Sequence, residues 1–107
     1  MEQPSIDIEK EAAFLSLIHQ GNLVELYKFL RQNNIPPHSI KDNRGYTALH
    51  LACYNNSTSI VQFLLRYVSE IYPDDGNLIR NWLNIQTVDG HTPFLLSCFR
   101  GNLVNFM

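Results

Sequence analysis

A short motif occurs twice in this chain, and this repetition restricts the possible folds more than any other feature of the sequence. The first copy runs from Asp42 to Cys53 and the second from Asp89 to Cys98. In both copies a Gly stands two residues before a Thr, and a short apolar run follows. A repeated unit predicts a stack of similar layers rather than a single closed core. Such stacks usually bind other macromolecules and rarely catalyse reactions.

Apolar residues recur at helical spacing along the chain and predict pairs of helices joined by tight turns. The first pair breaks at Gly21, and Asn22 with Glu25 has the pattern of a helix N-terminal capping box. Thr47 is placed to cap a short helix that we expect to end at about Asn55. Ser57 or Thr58 is placed to cap the helix that follows. The apolar positions expected to carry these helices are Ala12, Ala13, Phe14, Leu15, Leu17, Ile18, Leu23, Leu26, Tyr27, Leu30, Ile60, Val61, Phe63, Leu64, Leu65 and Val68.

The motif resembles that of the ankyrin repeat family, whose repeats carry the pattern D-x-x-G-x-T-P-L-H-x-A-A-x-x-G. The match is strongest over residues 42–65, where Ala48 replaces Pro and Asn56 replaces Gly. The resemblance implies an all-α fold, an ankyrin-type solenoid of helix-turn-helix repeats with projecting hairpin loops. The alternative is a generic helical repeat without such loops. That alternative fails if Gly45 and Gly90 both lie at the tips of tight, positive-φ turns.

The resemblance predicts a single ankyrin-repeat domain made of three units. Gly45 and Gly90 are 45 residues apart, whereas the family repeats at about 33 residues, so an insertion of about 12 residues is expected. Unit one lacks the Gly-x-Thr motif, as N-terminal capping repeats often do. The expected bounds are 1–107 for the domain, about 5–34 for unit one, about 38–72 for unit two, about 69–81 for the insertion and about 83–107 for an incomplete unit three.

Between units one and two, residues 35–37 contain two Pro and predict an extended segment. Trp82, the single Trp of the chain, lies at the end of the insertion on a short helix that Asn77 is placed to cap. Trp82 would either pack the insertion back on the stack, which we favour, or serve as an anchor for a partner. The stretch 74–77 has two Asp but lacks the alternating acidic ligands and closing Glu of a calcium loop. We therefore expect a plain turn there.

No catalytic residue, metal site or cofactor is indicated. His50 and Cys53 are three residues apart on one predicted helix, but a zinc site needs four converging ligands. The resemblance implies instead that His50 hydrogen-bonds the backbone of the neighbouring loop, beside Thr47. The chain has no phosphate-binding Gly-rich loop and no G-x-S-x-G motif. We therefore expect no enzyme activity and no small-molecule substrate from these residues.

The charge and the cysteines of the chain exclude further classes of function. With 8 Lys+Arg against 10 Asp+Glu, the chain has a net charge of −2, which argues against nucleic-acid binding and against contact with an anionic membrane. No secretory signal and no membrane-spanning run is present. Cys53 and Cys98 hold equivalent positions in separate layers, too far apart for a disulfide. We expect both to be reduced and buried, in the cytoplasm or on the cytoplasmic side of a membrane protein.

Recognition of a protein partner is the function that remains. The resemblance implies that partners contact the loop tips and the concave helix face. Arg and aromatic residues, which often dominate interface energetics, are present among these positions. Each residue could instead merely cover the surface of the stack. The residues expected to contact a partner are Asn43, Arg44, Tyr46, Tyr54, Asn55, Val88, His91, Phe99 and Arg100.

Two functional hypotheses follow from these sequence features. The favoured one is a non-enzymatic interaction scaffold. The alternative is the N-terminal recognition or regulatory arm of a larger enzyme or channel, such as an ankyrin-containing palmitoyltransferase or kinase. Leu103, Val104, Phe106 and Met107 begin an apolar helix without a partner, so we expect the chain to be the N-terminal piece of a longer array.

Overall fold

Short helices follow one another along the whole of residues 8–99, the part of the chain that the computed structural model describes. Of Phe99 the backbone alone is described. Within residues 8–99, a single antiparallel bridge joins Lys41 to Thr47, and no helix of this part of the chain is long and apolar enough to cross a membrane. The elements are α1 (Ile8–Gln20), α2 (Leu23–Asn33), a 3₁₀ turn η1 (Pro37–Ser39), α3 (Ala48–Tyr54), α4 (Thr58–Ile71), α5 (Leu78–Leu83) and α6 (Pro93–Phe99).

The helices form two rows. The inner row consists of α1, α3 and α6, which pack side by side, and the outer row consists of α2 behind α1 and α4 behind α3. The turn between α1 and α2 passes through Gly21 at φ 70°, and the turn between α3 and α4 passes through Asn56 at φ 62°. Asn56 stands where the family pattern has Gly, and Asn is one of the few other residues that readily adopt this conformation. The predicted all-α solenoid of helix-turn-helix layers is confirmed.

Two of the predicted helix N-caps form the expected side-chain hydrogen bonds. The Asn22 side chain accepts a hydrogen bond from the Glu25 N–H at 3.1 Å, and Thr47 caps α3 with its hydroxyl group. The other two predicted caps are wrong in detail. Ser57 and Asn77 precede α4 and α5, but neither forms a side-chain capping bond. Packing of the apolar face therefore holds these two helices in place without that contribution.

The core lies between the two rows. Its largest fully buried side chains include Phe14, Leu30, Leu49 and Leu64, each of which contributes about 1.5–3 kcal/mol by leaving water. Four positions assigned to the apolar faces are exposed instead, because the described elements leave their side chains partly or wholly uncovered. These are Ala12, Ala13, Leu23 and Tyr27.

The segment between the first two helix pairs is shorter and more turned than predicted. Pro36 is extended, with φ −76° and ψ 111°, but Pro37 begins the 3₁₀ turn η1. Pro is well suited to the first position of a helical turn because it has no N–H group that would need a partner.

The inserted segment packs back on the stack. α4 continues to Ile71, and a turn of six residues leads to α5. Trp82 of α5 is 1% exposed, and its ring centroid lies 6.2 Å from that of His38 in η1. The packing role for Trp82 is therefore confirmed. The division of the chain into three units stays a prediction.

The two cysteines differ in their surroundings. Both are free thiols, but Cys53 is buried whereas Cys98 is exposed, so the prediction that both are buried is wrong. α6 covers the face of α3 that carries Cys53, and Ser97 hydrogen-bonds its thiol, whose pKa is raised by burial. No described helix covers the equivalent face of α6, and Cys98 therefore meets solvent.

Candidate functional site

The first loop, residues 42–47, is folded by a single aspartate. The Asp42 carboxylate accepts hydrogen bonds from the backbone N–H groups of Arg44 and Tyr46, each at 2.9 Å. The Gly45 N–H donates to the backbone oxygen of Asp42 at 3.0 Å, and Gly45 has φ 82°. A carboxylate that bonds its own backbone in this way defines an Asx turn.

The second loop, residues 87–92, repeats this scheme with a different side chain. The Thr87 hydroxyl accepts from the N–H groups of Asp89 at 3.3 Å and His91 at 3.2 Å. Gly90, at φ 84°, occupies the turn position. Thr87 thus takes the role of Asp42. The two residues are 45 positions apart, as Gly45 and Gly90 are, so this spacing is the signal in the sequence that could have identified the correspondence. Since both glycines lie at positive-φ loop tips, the generic helical repeat without such loops is excluded.

The two loops are joined side by side. The Val88 N–H donates to the Arg44 backbone oxygen at 2.9 Å, and the Arg44 guanidinium pairs with the Asp89 carboxylate at 2.9 Å. A Cβ atom added at Gly45 would stand 3.2 Å from the Thr87 Cα. The close approach of the two loops therefore depends on the absence of a side chain at Gly45.

His50 connects the same two loops from below. Its Nδ1 accepts from the Thr47 backbone N–H at 3.1 Å, so the proton of the neutral ring resides on Nε2. Nε2 then donates to the His91 backbone oxygen at 2.9 Å. Burial lowers the pKa of His50, and hydrogen bonds to the backbone at His91 and Ile85 act in the opposite direction. The predicted contact of His50 with the neighbouring loop, beside Thr47, is confirmed.

Five of the predicted partner-contacting residues fall into two groups, one beside each end of α3. Asn43, Arg44 and Val88 lie at the joined loop tips. Tyr54 and Asn55 lie at the other end of α3, about 10 Å away for a helix of this length. We use the name loop edge for the two loops together with the C-terminal end of α3.

Two further predicted residues are half-buried and also serve the fold. The Tyr46 ring packs edge-on against His50, with ring centroids 5.8 Å apart. His91 offers its backbone oxygen to both His50 and Thr87. The last two predictions, Arg100 and the Phe99 side chain, lie outside the described residues.

A separate open groove of about 610 Å³ lies between α5 and α6. Ile79, Leu83 and Phe94 supply its apolar lining, and Arg80 and Asn84 its polar part. None of the predicted site residues lines this groove. Within residues 8–99, no three or more His, Cys, Asp or Glu side chains come together in a group that could hold a metal ion.

Layers of paired helices whose loops are joined side by side define a helical repeat protein. Residues 15–65 match the family model described as Ankyrin repeats (many copies). Residues 15–65 therefore carry ankyrin repeats, and such repeats are generally protein–protein interaction modules and typically non-catalytic. Comparison with curated proteins gives no match to the chain.

Proposed function

We propose that this chain is a protein–protein interaction module that binds its partner along the loop edge. The observation that supports this most is the joining of the two loop tips by a backbone hydrogen bond and by the ion pair of Arg44 with Asp89. Loops held in place before binding lose little conformational freedom in a complex. More of the contact energy then appears as affinity.

The exposed side chains of the loop edge suit a protein partner. Val88 is 70% exposed and Tyr54 is 45% exposed, so each can bury apolar area against another surface. Arg44 is 64% exposed along its side chain and its remaining N–H groups can pair with carboxylates or carbonyl oxygens of a partner. Tyr and Arg are the residue types that most often dominate binding energy in protein interfaces.

The proposal extends to a cytoplasmic scaffold. Two free thiols and no disulfide among residues 8–99 are typical of proteins kept in a reducing compartment. A scaffold brings partners together without changing them. It therefore needs a rigid edge, such as the joined loops provide, and no reactive centre.

The loop edge can be tested by capture of partner proteins on the immobilised chain, with quantification by mass spectrometry. We expect Tyr54→Ala and Val88→Ala each to lower capture of the main partner by about tenfold, as for an interface hot spot. Tyr72→Ala is the matched control, since Tyr72 is 37% exposed and follows α4 of the outer row rather than belonging to the loop edge. Circular dichroism would verify that all three variants are folded.

Two results would contradict the proposal. If Tyr54→Ala and Val88→Ala both retain every partner at the level of the unaltered chain, the loop edge is not the binding surface. If Tyr72→Ala reduces capture as much as they do, the loss does not arise at this edge.

A further inference from the structure

The outer row carries a line of aromatic and basic side chains that the loop edge does not use. Tyr27 of α2 packs edge-on against Phe63 of α4, with ring centroids 6.1 Å apart, and Phe63 in turn lies 5.5 Å from Tyr67. Arg31 lies on α2, four residues after Tyr27, and Arg66 lies on α4, three residues after Phe63. We call these five residues the outer seam.

Arg31 is held against the aromatic rings. Its guanidinium carbon lies 5.6 Å from the centroid of the Tyr27 ring, and its Nη1 donates to the Tyr27 hydroxyl at 2.8 Å. Burial raises the pKa of the Tyr67 hydroxyl, and the positive charge of Arg31 opposes this rise. Contacts of this kind fix a cation in one orientation and leave its other N–H groups available.

Neither arginine of the outer seam is neutralised by the fold. Within residues 8–99, neither Arg31 nor Arg66 has a carboxylate within 4 Å. Lys28, next to the seam on α2, does pair with Glu25, at 3.8 Å. Among the described residues, these two guanidinium groups therefore have no carboxylate partner, although the chain as a whole has a net charge of −2.

Packing between α2 and α4 does not account for the seam. Tyr27 remains 43% exposed, and Phe63 and Tyr67 are half-buried rather than enclosed. Phe63 and Arg66 are three residues apart on α4, so they are neighbours on its surface. Half-buried aromatic rings beside unpaired arginines have the composition of the central part of a protein interface.

We propose that the outer seam is a second docking surface, for an acidic segment of a protein partner. An apolar side chain of that segment packs on Tyr27 and Phe63, and its Asp or Glu carboxylates pair with Arg31 and Arg66. Two cations form too small a patch for nucleic acid or for an anionic membrane, which are bound through larger clusters. Occupation of the seam leaves the loop edge free, so one chain can hold two partners.

The test uses fluorescence anisotropy with labelled synthetic peptide pools. The acidic pool contains glutamate and leucine in random order, and the matched basic pool contains lysine in place of glutamate. We expect the chain to bind the acidic pool at least about tenfold more tightly than the basic pool, with the difference shrinking as salt is added. Arg31→Glu and Arg66→Glu should each weaken binding of the acidic pool by about fivefold or more, and Arg31→Gln by less.

Arg80→Glu is the control, because it makes the same change of charge on α5, where Arg80 lines the groove beside α6. We expect it to alter binding by less than about twofold, and circular dichroism would verify the fold of each variant. Tyr54→Ala on the loop edge should bind the acidic pool normally, so this experiment is independent of the proposal for that edge.

Equal binding of both pools, or equal losses in Arg80→Glu and Arg31→Glu, would overturn the inference. At least about tenfold tighter binding of a phosphoserine–leucine pool would also overturn it and would assign the seam to phosphate groups. Self-association of the chain that Arg31→Glu abolishes would assign the seam to a second copy instead.

Discussion

Replacement of His50 tests whether the two loops depend on one buried imidazole. His50 is fully buried, and its ring is the acceptor that the structure gives to the Thr47 backbone N–H. His50→Ala removes the bond to the His91 oxygen, worth about 1 kcal/mol, and leaves the buried N–H of Thr47 without a partner, which costs about 1–3 kcal/mol. The void left by the ring adds about 2 kcal/mol. We expect a total loss of about 4 kcal/mol or more.

Two smaller changes separate the contributions of the ring. His50→Asn can keep an acceptor near the Thr47 N–H but cannot reach His91, whereas His50→Gln can reach the His91 oxygen with its amide but lacks that acceptor. Each should therefore lose about 2 kcal/mol, less than His50→Ala. Against a total stability of about 5–15 kcal/mol for a small domain, all three losses are measurable.

The assay is urea unfolding, followed both by circular dichroism and by the fluorescence of Trp82, the single Trp of the chain. Trp82 is buried, so its emission should change on unfolding, and agreement of the two probes supports a two-state transition. His19→Gln is the control because His19 is exposed. A loss below about 1 kcal/mol for His50→Ala, or an equal loss for His19→Gln, would refute the reasoning.

The same variants, measured across pH, test the ionisation of His50. Burial lowers the pKa of His50 below its ordinary value of 6.5, so the unfolded chain binds a proton before the folded chain does. Stability should be complete above about pH 6.5 and decrease as the pH falls below that value. His38 contributes in the same direction, since burial lowers its pKa against the nearby charge of Asp75. His50→Asn should show a shallower loss with acid. An unchanged pH profile would show that His50 does not titrate as described.

Two further predictions follow from the backbone and the thiols. Gly45→Ala should cost about 1–3 kcal/mol, because Gly45 has φ 82° and faces the Thr87 backbone. Gly76→Ala should stay within about 0.5 kcal/mol in the same urea assay, because Gly76 has no atom near its missing side chain; similar costs for the two would contradict the close approach of the loops. Cys98 should react with a thiol reagent in the folded protein and Cys53 only after unfolding, since Cys98 is exposed and Cys53 is buried with a raised pKa. Equal rates of labelling, followed by mass spectrometry of the peptides, would refute this assignment.

Much of the fold could be predicted because the relevant interactions are local. The Asn22 and Thr47 caps and the positive-φ turns at Gly45 and Gly90 each involve groups a few residues apart. Their geometry is therefore encoded within one short segment. The second loop was harder to predict from the sequence. Thr87 stands where the family pattern has Asp, but it keeps the hydrogen-bonding role of that residue.

The candidate site could be predicted only in outline. The sequence identified positions on the loops, but the joining of the loops through Arg44 and Val88 depends on residues about one repeat apart. Half-buried Tyr46 was assigned to partner binding alone, although its ring also packs on His50. Two residues of the outer seam, Tyr27 and Phe63, are predicted from sequence to lie on apolar helix faces, since the helical period cannot show where a helix–helix contact ends.

By itself, the sequence determined that the chain is a stack of helix pairs, because repeated motifs, helical periods and turn residues act over short distances. Only the tertiary structure decided which of two similar residues is covered by a neighbouring helix and which is exposed to solvent. Cys53 is enclosed by α6 while Cys98 is exposed, and Leu26 is buried while Tyr27 beside it is 43% exposed. The physical reason is that burial depends on the neighbouring layer, which a residue's own segment does not specify.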